Sequence, residues 1–125
     1  MSQFLGLIPT PPPFKAKSLV FELKARLDWG EPALTIIDAR DRDEFNFRHI
    51  SGAIPMPMPE LVDRAQSCLE NSRDIYIYGE TDEETAQAAA KLRNAGFQNV
   101  SELRGGVAAW QAVDYPIEST SSQVA

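Results

Sequence analysis

The densest chemistry in the sequence sits in one short stretch. Tyr78-Gly79-Glu80-Thr81-Asp82-Glu83-Glu84-Thr85 puts four carboxylates into five positions, directly after the apolar run DIYIY. Grouped carboxylates can hold a divalent cation, move protons or attract a basic surface. Acids at consecutive helical positions fan outward, and the stretch lacks EF-hand spacing, so no metal is expected. A structural role accounts for the same residues. Thr81 followed three positions later by Glu84 fits a capping box, and Asp82, Glu83 and Glu84 then occupy a first turn, where the helix dipole favours negative charge.

The other reactive side chains are few. Cys68 is the only cysteine and His49 the only histidine. Cys68 shares helical spacing with Leu61, Ala65 and Leu69, which predicts a small buried hydrophobe, and no neighbouring cation is placed to activate it. His49 could shuttle a proton, yet the residues around it supply neither a cysteine nor a metal ligand. Asp38 and Arg40 close the run ALTIIDAR and are expected to tie down a strand end beside the 79–85 loop.

The elements that must position these residues follow from pattern. Ser18 is expected to cap a helix with Leu19, Val20, Leu23 and Leu27 on its apolar stripe, stopped by Gly30 and Pro32. ALTIIDAR reads as a buried strand, and DRDEFNFR as a short helix with Phe45 turned inward. AIPMPMP reads as a brief or peripheral strand, since its prolines cannot donate to a central ladder. A helix is expected over about residues 60–71. DIYIY has bulky residues on both faces, as a strand covered on both sides requires. The helix Asp82 to Asn94 carries small residues at Ala86, Ala89 and Ala90 with Leu92, and Gly96 ends it. NVSEL supplies the next strand and GGVAAWQAV the last helix. Alternating strands and helices predict an α/β fold with a parallel sheet and right-handed crossovers.

Composition removes several function classes. The 125 residues suit one domain, with 12 basic against 18 acidic side chains and a net charge of −6. Scattered Lys and Arg on an acidic chain argue against nucleic acid as a partner. The start MSQFLGLIPTPPP has no basic leader and an apolar run of only about five residues, and one cysteine gives no disulfide, so a soluble cytoplasmic protein without membrane contact is expected. The Pro-rich stretch within residues 1–16 and the tail 119–125 are expected to be extended or flexible, leaving 17–118 as the domain.

At this level the sequence resembles the rhodanese domain. IIDARDRDEF, RHISGAIPMP, GFQNVSELRGGVAAW and YPIE fall in the family's order and spacing over about Lys17 to Glu118. Asp38 and Arg40 match an acidic residue and an arginine at a strand end. Arg48-His49-Ile50-Ser51-Gly52-Ala53 matches the Gly-His-Ile-x-Gly-Ala block with its leading glycine replaced. Leu103, Gly105, Gly106 and Trp110 match the closing block. The resemblance implies a three-layer fold, a central parallel sheet of about five strands with helices on both faces. It also implies that His49 fixes a loop by hydrogen bonding, that Gly105 and Gly106 turn the chain, and that Trp110 is core.

The resemblance also exposes a departure. Active members place a nucleophilic cysteine after the strand, in a loop resembling Tyr-Cys-Arg-x-Gly-x-Arg-Ser. On that comparison the cysteine is replaced by Gly79, and both arginines by Glu80 and Glu84. Sulfur transfer needs an activated thiolate, and anionic substrates would meet about 1 kcal/mol of repulsion from each carboxylate about 4 Å away even in water. A helix N-terminus carrying about half a positive charge does not offset four acids. The expectation is therefore a domain without sulfurtransferase activity, with no catalytic residue and no cofactor, that binds a basic protein partner or a small ligand through residues 79–85. The alternative is a sulfurtransferase that carries sulfur on Cys68 or on a partner's thiol.

Overall fold

A computed structural model describes residues 14–30 and 33–120. The elements run β1 (Lys17–Ser18), α1 (Val20–Trp29), β2 (Leu34–Asp38), α2 (Arg42–Phe47), β3 (His49–Ile50), β4 (Ile54–Pro55), a 3₁₀ turn (Met58–Glu60), α3 (Leu61–Cys68), β5 (Asp74–Tyr78), α4 (Asp82–Asn94), β6 (Asn99–Leu103), α5 (Gly106–Ala112) and β7 (Ile117–Glu118). Five strands form a parallel sheet in the order β1-β6-β5-β2-β4, and β3 pairs with β7 antiparallel as a separate two-stranded unit.

The sheet is covered on both faces, which explains why β5 is apolar throughout. Ile75 and Ile77 point into a core with Leu61 and Ala65 of α3 and Ala88, Ala89 and Leu92 of α4. Tyr76 and Tyr78 point the other way, to Val20 and Leu23 of α1, Phe45 of α2, and Val107 and Trp110 of α5. This is the expected three-layer α/β architecture. The strand with alternating prolines is short and lies at the sheet edge, where missing N–H donors cost nothing.

Several local expectations are corrected. Ser18 does not cap α1. It lies in edge strand β1, its hydroxyl bonded to that of Ser101, and Leu19 takes the cap position while the Glu22 carboxylate accepts the Leu19 N–H at 2.8 Å. Of the expected stripe on α1, Val20 and Leu23 are buried, whereas Leu19 and Leu27 remain largely exposed. In α4 the buried positions are Thr85, Ala88, Ala89 and Leu92, and Ala86 and Ala90 face solvent. Ala95 is the C-cap and Gly96 follows it at φ 106°, the left-handed region that suits glycine.

The helix expected over 60–71 ends at Cys68, because Leu69 turns extended and its N–H closes on Ala65. Cys68 is consequently exposed rather than buried. The expected stop at Pro32, the Pro-rich stretch before residue 14 and the tail beyond residue 120 lie outside the described residues. Ser119 and Thr120, expected in the tail, are tied to Asn46. The Ser119 hydroxyl and the Thr120 N–H donate to its carbonyl at 3.0 and 2.9 Å. Among the described residues, no helix is long and apolar enough to cross a membrane.

Candidate functional site

Topology itself opens a crevice. β2 and β5 are neighbours in the sheet, yet the helix after β2 lies on the face with Trp110 and the helix after β5 lies on the opposite face. The connections leaving the two strand ends therefore diverge, which is where parallel sheets place ligand sites. The cavity there measures about 450 Å³ and is lined by residues 39–41, Glu44, Met58, Gly79, Glu80, Glu84 and Gln87.

The floor is built by Asp38 and Arg40. Asp38 is fully buried, and Arg40 is 4% exposed in its side chain. Arg40 Nε donates to Asp38 Oδ1 at 3.1 Å and Nη2 to Oδ2 at 2.8 Å, a bidentate pair. Nη2 also donates to the Arg48 carbonyl at 2.6 Å, which fastens the end of α2. Burial alone would weaken the Arg40 charge, but Asp38 outweighs it and holds the guanidinium charged more firmly than a free arginine. Arg40 also lies over the Tyr78 ring, 5.5 Å from its centroid. The Tyr78 hydroxyl accepts the Ile50 N–H at 3.1 Å, and burial, reinforced by Asp38, pushes it well above the ordinary tyrosine range. Asp38 and Arg40, expected to tie down the strand end, are bonded to one another there. The part played by Tyr78 had no sequence signal beyond its place in an apolar strand.

Four amides of the 79–85 loop, those of Gly79, Glu80, Glu84 and Thr85, are bonded within the loop. Gly79 N–H donates to Thr85 Oγ1 at 2.7 Å, Glu80 N–H to Glu84 Oε1 at 3.3 Å and Glu84 N–H to Thr81 Oγ1 at 3.1 Å. Thr85 is buried because its hydroxyl works twice, accepting from Gly79 and donating to the Thr81 carbonyl at 2.9 Å. The expected cap therefore exists at Thr81, but Glu84 reaches the Glu80 N–H and not that of Thr81, a shift from the expected box.

The four acids are not equivalent. Asp82 accepts from Gly105 N–H at 2.9 Å and pairs with Arg104 Nε at 3.1 Å, so it faces the 104–106 turn. The Gly105 bond, aided by Arg104 and opposed by slight burial, holds the Asp82 carboxyl below its usual value. Gly106 lets this turn come close, since a Cβ there would stand 3.3 Å from the Gly79 carbonyl, and its φ is 53°. Glu80 and Glu44 stand 3.8 and 3.9 Å from Arg40 Nη1, and Glu80 and Glu84 line the cavity. Glu83 is exposed and outside the cavity lining.

His49 is buried and locked elsewhere. Its Nδ1 donates to the Phe45 carbonyl at 2.7 Å, its ring stacks on Phe45 at 3.7 Å, and Nε2 faces Glu118 at 3.4 Å. It is not a lining residue of the cavity. Cys68 lies beside Leu69, Glu70 and Arg73, and Arg73 bonds Leu34 and Thr35 at the beginning of β2. The sole thiol is thus at the opposite end of the sheet from the 79–85 loop. Among the described residues, no group of three or more His, Cys, Asp or Glu is arranged to hold a metal ion. Glu44, Met58 and Gln87 enter the site without having been singled out. Glu44 stands four residues after Arg40 and Gln87 three after Glu84, a helical spacing that carries the only available signal.

Comparison with known proteins agrees with this architecture. The rhodanese-like domain pattern matches residues 20–113, and the chain belongs to that family. It is 34% identical over 95 residues to a protein named sulfurtransferase from Allochromatium vinosum, covering 76% of this chain and 87% of that one. It is 30% identical over 112 residues to the probable adenylyltransferase/sulfurtransferase MoeZ of Mycobacterium tuberculosis, covering 86% of this chain but only 28% of the relative. The Alr3790 protein of Anabaena sp. has a crystal structure that superposes with a TM-score of 0.80 at 59% identity, over 82% of this chain and 80% of that one. A thiosulfate sulfurtransferase from Pseudomonas aeruginosa superposes with a TM-score of 0.75 at 27% identity, over 85% of this chain and 20% of that one. Against several curated relatives the chain spans less than half of their length, from 28% to 46%.

Proposed function

We propose that this rhodanese domain does not transfer sulfur by itself and instead recognises a partner through the acidic face around residues 79–85. The observation that carries the reading is the position of the only thiol. Gly79 stands between β5 and α4, where the family resemblance puts the nucleophile, and Cys68 is at the far end of the sheet. A glycine cannot carry a persulfide. The amides of Gly79, Glu80 and Glu84 are already bonded to Thr85, Glu84 and Thr81, and Glu80 and Glu84 repel an anion. An acidic, partly concave surface favours a basic protein partner or a cationic small ligand.

A second reading keeps the chemistry, because Cys68 is exposed and relatives of this chain are named sulfurtransferases. On it, sulfur would ride on Cys68 or on a partner's thiol. A thiosulfate-to-cyanide assay on the native protein, Gly79→Cys and Cys68→Ser separates the two. The expected result is silence in the native protein and turnover in Gly79→Cys. The backbone of Gly79 is not left-handed, so a side chain is conformationally allowed. Its Cβ would sit 3.2 Å from that of Glu84, a contact the loop must relieve by a few tenths of an ångström. Native turnover that disappears in Cys68→Ser would overturn the first reading.

A further inference from the structure

His49 lies outside the crevice and is only 3% exposed, at the start of the strand that pairs with β7. Both of its ring nitrogens face oxygen. Nδ1 is 2.7 Å from the Phe45 carbonyl, and Nε2 is 3.4 Å from Glu118 Oε1. A neutral imidazole has one N–H and one lone pair, so in either tautomer the lone pair points at an acceptor. The imidazolium carries an N–H on both nitrogens and suits both oxygens. Burial disfavours that charge unless it is paired. Glu118 pairs it, and the Phe45 ring, stacked at 3.7 Å with the planes 7° apart, gives it an aromatic face.

From this geometry we infer that His49 and Glu118 form a proton-operated latch on the β3–β7 pair, closed by the imidazolium and released when the ring loses its proton. The inference does not depend on the recognition reading above. The released state follows from what else holds Glu118. Its side chain is 57% exposed, and among the described residues its only other side-chain bond is a long one, from the Gly52 N–H at 3.5 Å. Without the cation it turns to water. The strands are two residues long, and His49 faces Glu118 in one of their two registered positions, so the loss is felt by the whole pair. Neighbouring charges do not compete for the ring. On α2, Arg42 pairs with Glu60 at 3.1 Å, Glu44 faces Arg40 at 3.9 Å and Asp43 is exposed, while the Arg48 guanidinium lies over the Phe47 ring. Helix α5 carries no titratable side chain. Tyr78 of β5 receives the Ile50 N–H, and Asp38 and Arg40 bind each other. The latch strengthens the pair while the ring is protonated, and this contribution is lost as pH rises through the titration of the ring. His49 also stands between Arg48, whose carbonyl accepts from Arg40, and Ile50, whose N–H bonds Tyr78, so the latch adjoins the floor of the crevice.

The test is NMR on the full chain between about pH 5.5 and pH 8, the range in which histidine ordinarily titrates. His49 is the only histidine, so every imidazole signal belongs to it. Hydrogen exchange, corrected for its intrinsic pH dependence, is read at Ser51 and Thr120, whose amides bond the Pro116 and Asn46 carbonyls at 3.1 and 2.9 Å on either side of Glu118. Ile77 in the central strand is the control. Protection at Ser51 and Thr120 should fall roughly two- to five-fold in step with loss of the ring proton, as loss of one partly exposed ion pair implies, with Ile77 unchanged. In Glu118→Gln the ring still titrates, but the amide offers both a donor and an acceptor and bonds either form, so protection should no longer follow the ring. Glu118 is largely exposed, so this variant keeps the fold. Protection that stays constant or rises as the ring loses its proton, or a fall that persists unchanged in Glu118→Gln, would overturn the inference. So would a ring that keeps one protonation state throughout.

Discussion

Asp38 has no exposed surface, and its carboxylate faces a guanidinium that is nearly as buried. Such a pair contributes little relative to an apolar replacement, but removing one member strands the other charge. Asp38→Asn should therefore cost about 3–5 kcal/mol in urea unfolding, far more than a surface carboxylate would. Asp82 makes the contrast. Its carboxyl is held below the ordinary aspartate value, mainly by the Gly105 amide. A depressed folded value means that the contribution to stability is complete above the unfolded pKa and fades as pH falls through the folded one. Asp82→Asn keeps an oxygen for Gly105 but cannot titrate. Its urea midpoint should fall less steeply than that of the native protein as pH drops below about 4, the ordinary aspartate value. Parallel curves for the two proteins would show that the Gly105 contact does not discriminate charge.

Helix α4 carries three of the four acids of the loop, so its start matters to the site. Thr81 Oγ1 is the one side-chain cap, and Thr81→Ala should lose about 1 kcal/mol in thermal or urea unfolding, with faster hydrogen exchange at Glu84. A variant as stable and as protected as the native protein would mean that water replaces the cap fully. This start was readable from Thr81 and Glu84 alone, as were the bounds of α4 and the central place of β5, because strong periodicity and capping act locally. The inward face of α4 was read rightly at Ala89 and Leu92 and one step late at Ala86 and Ala90. Thr85 is polar and so hides the true stripe of 85, 88, 89 and 92, and only its two hydrogen bonds make its burial possible. Ser18 misled for a related reason. A two-residue edge strand leaves no period to detect, and its partner Ser101 is far away in sequence. Cys68 fitted a buried stripe that the early end of α3 cuts short. Of the residues that line the crevice, Arg40, Gly79, Glu80 and Glu84 had been singled out from motif order, whereas the convergence of Glu44, Met58 and Gln87 depends on which faces the helices take.

Across the whole molecule, the last strand works as a clasp. β7 pairs His49 with Glu118 and Ile50 with Ile117, outside the main sheet and beyond the stretch that matches the family pattern. The preceding turn is equally engaged. The Trp110 indole N–H donates to the Pro116 carbonyl at 2.7 Å, the Ser51 N–H reaches the same carbonyl at 3.1 Å, and Tyr115 packs edge-on against Trp110 with centroids 4.9 Å apart. Ile50, held from this side, is also the residue whose N–H bonds Tyr78, one position before Gly79. The clasp is thereby linked through β3 to the strand end that forms the site. A chain ending at Asp114 would lose the Trp110 acceptor together with the apolar cover of Tyr115 and Ile117, at a combined cost of about 2–4 kcal/mol. It should remain folded, since the five-stranded sheet and the fully buried members of both cores are retained, but with a lower urea midpoint and with amide exchange accelerated at Ile50 and Gly79 before global unfolding. Acceleration confined to residues 49–50, with Gly79 unchanged, would show that the clasp protects its own strand pair and leaves the crevice independent of it.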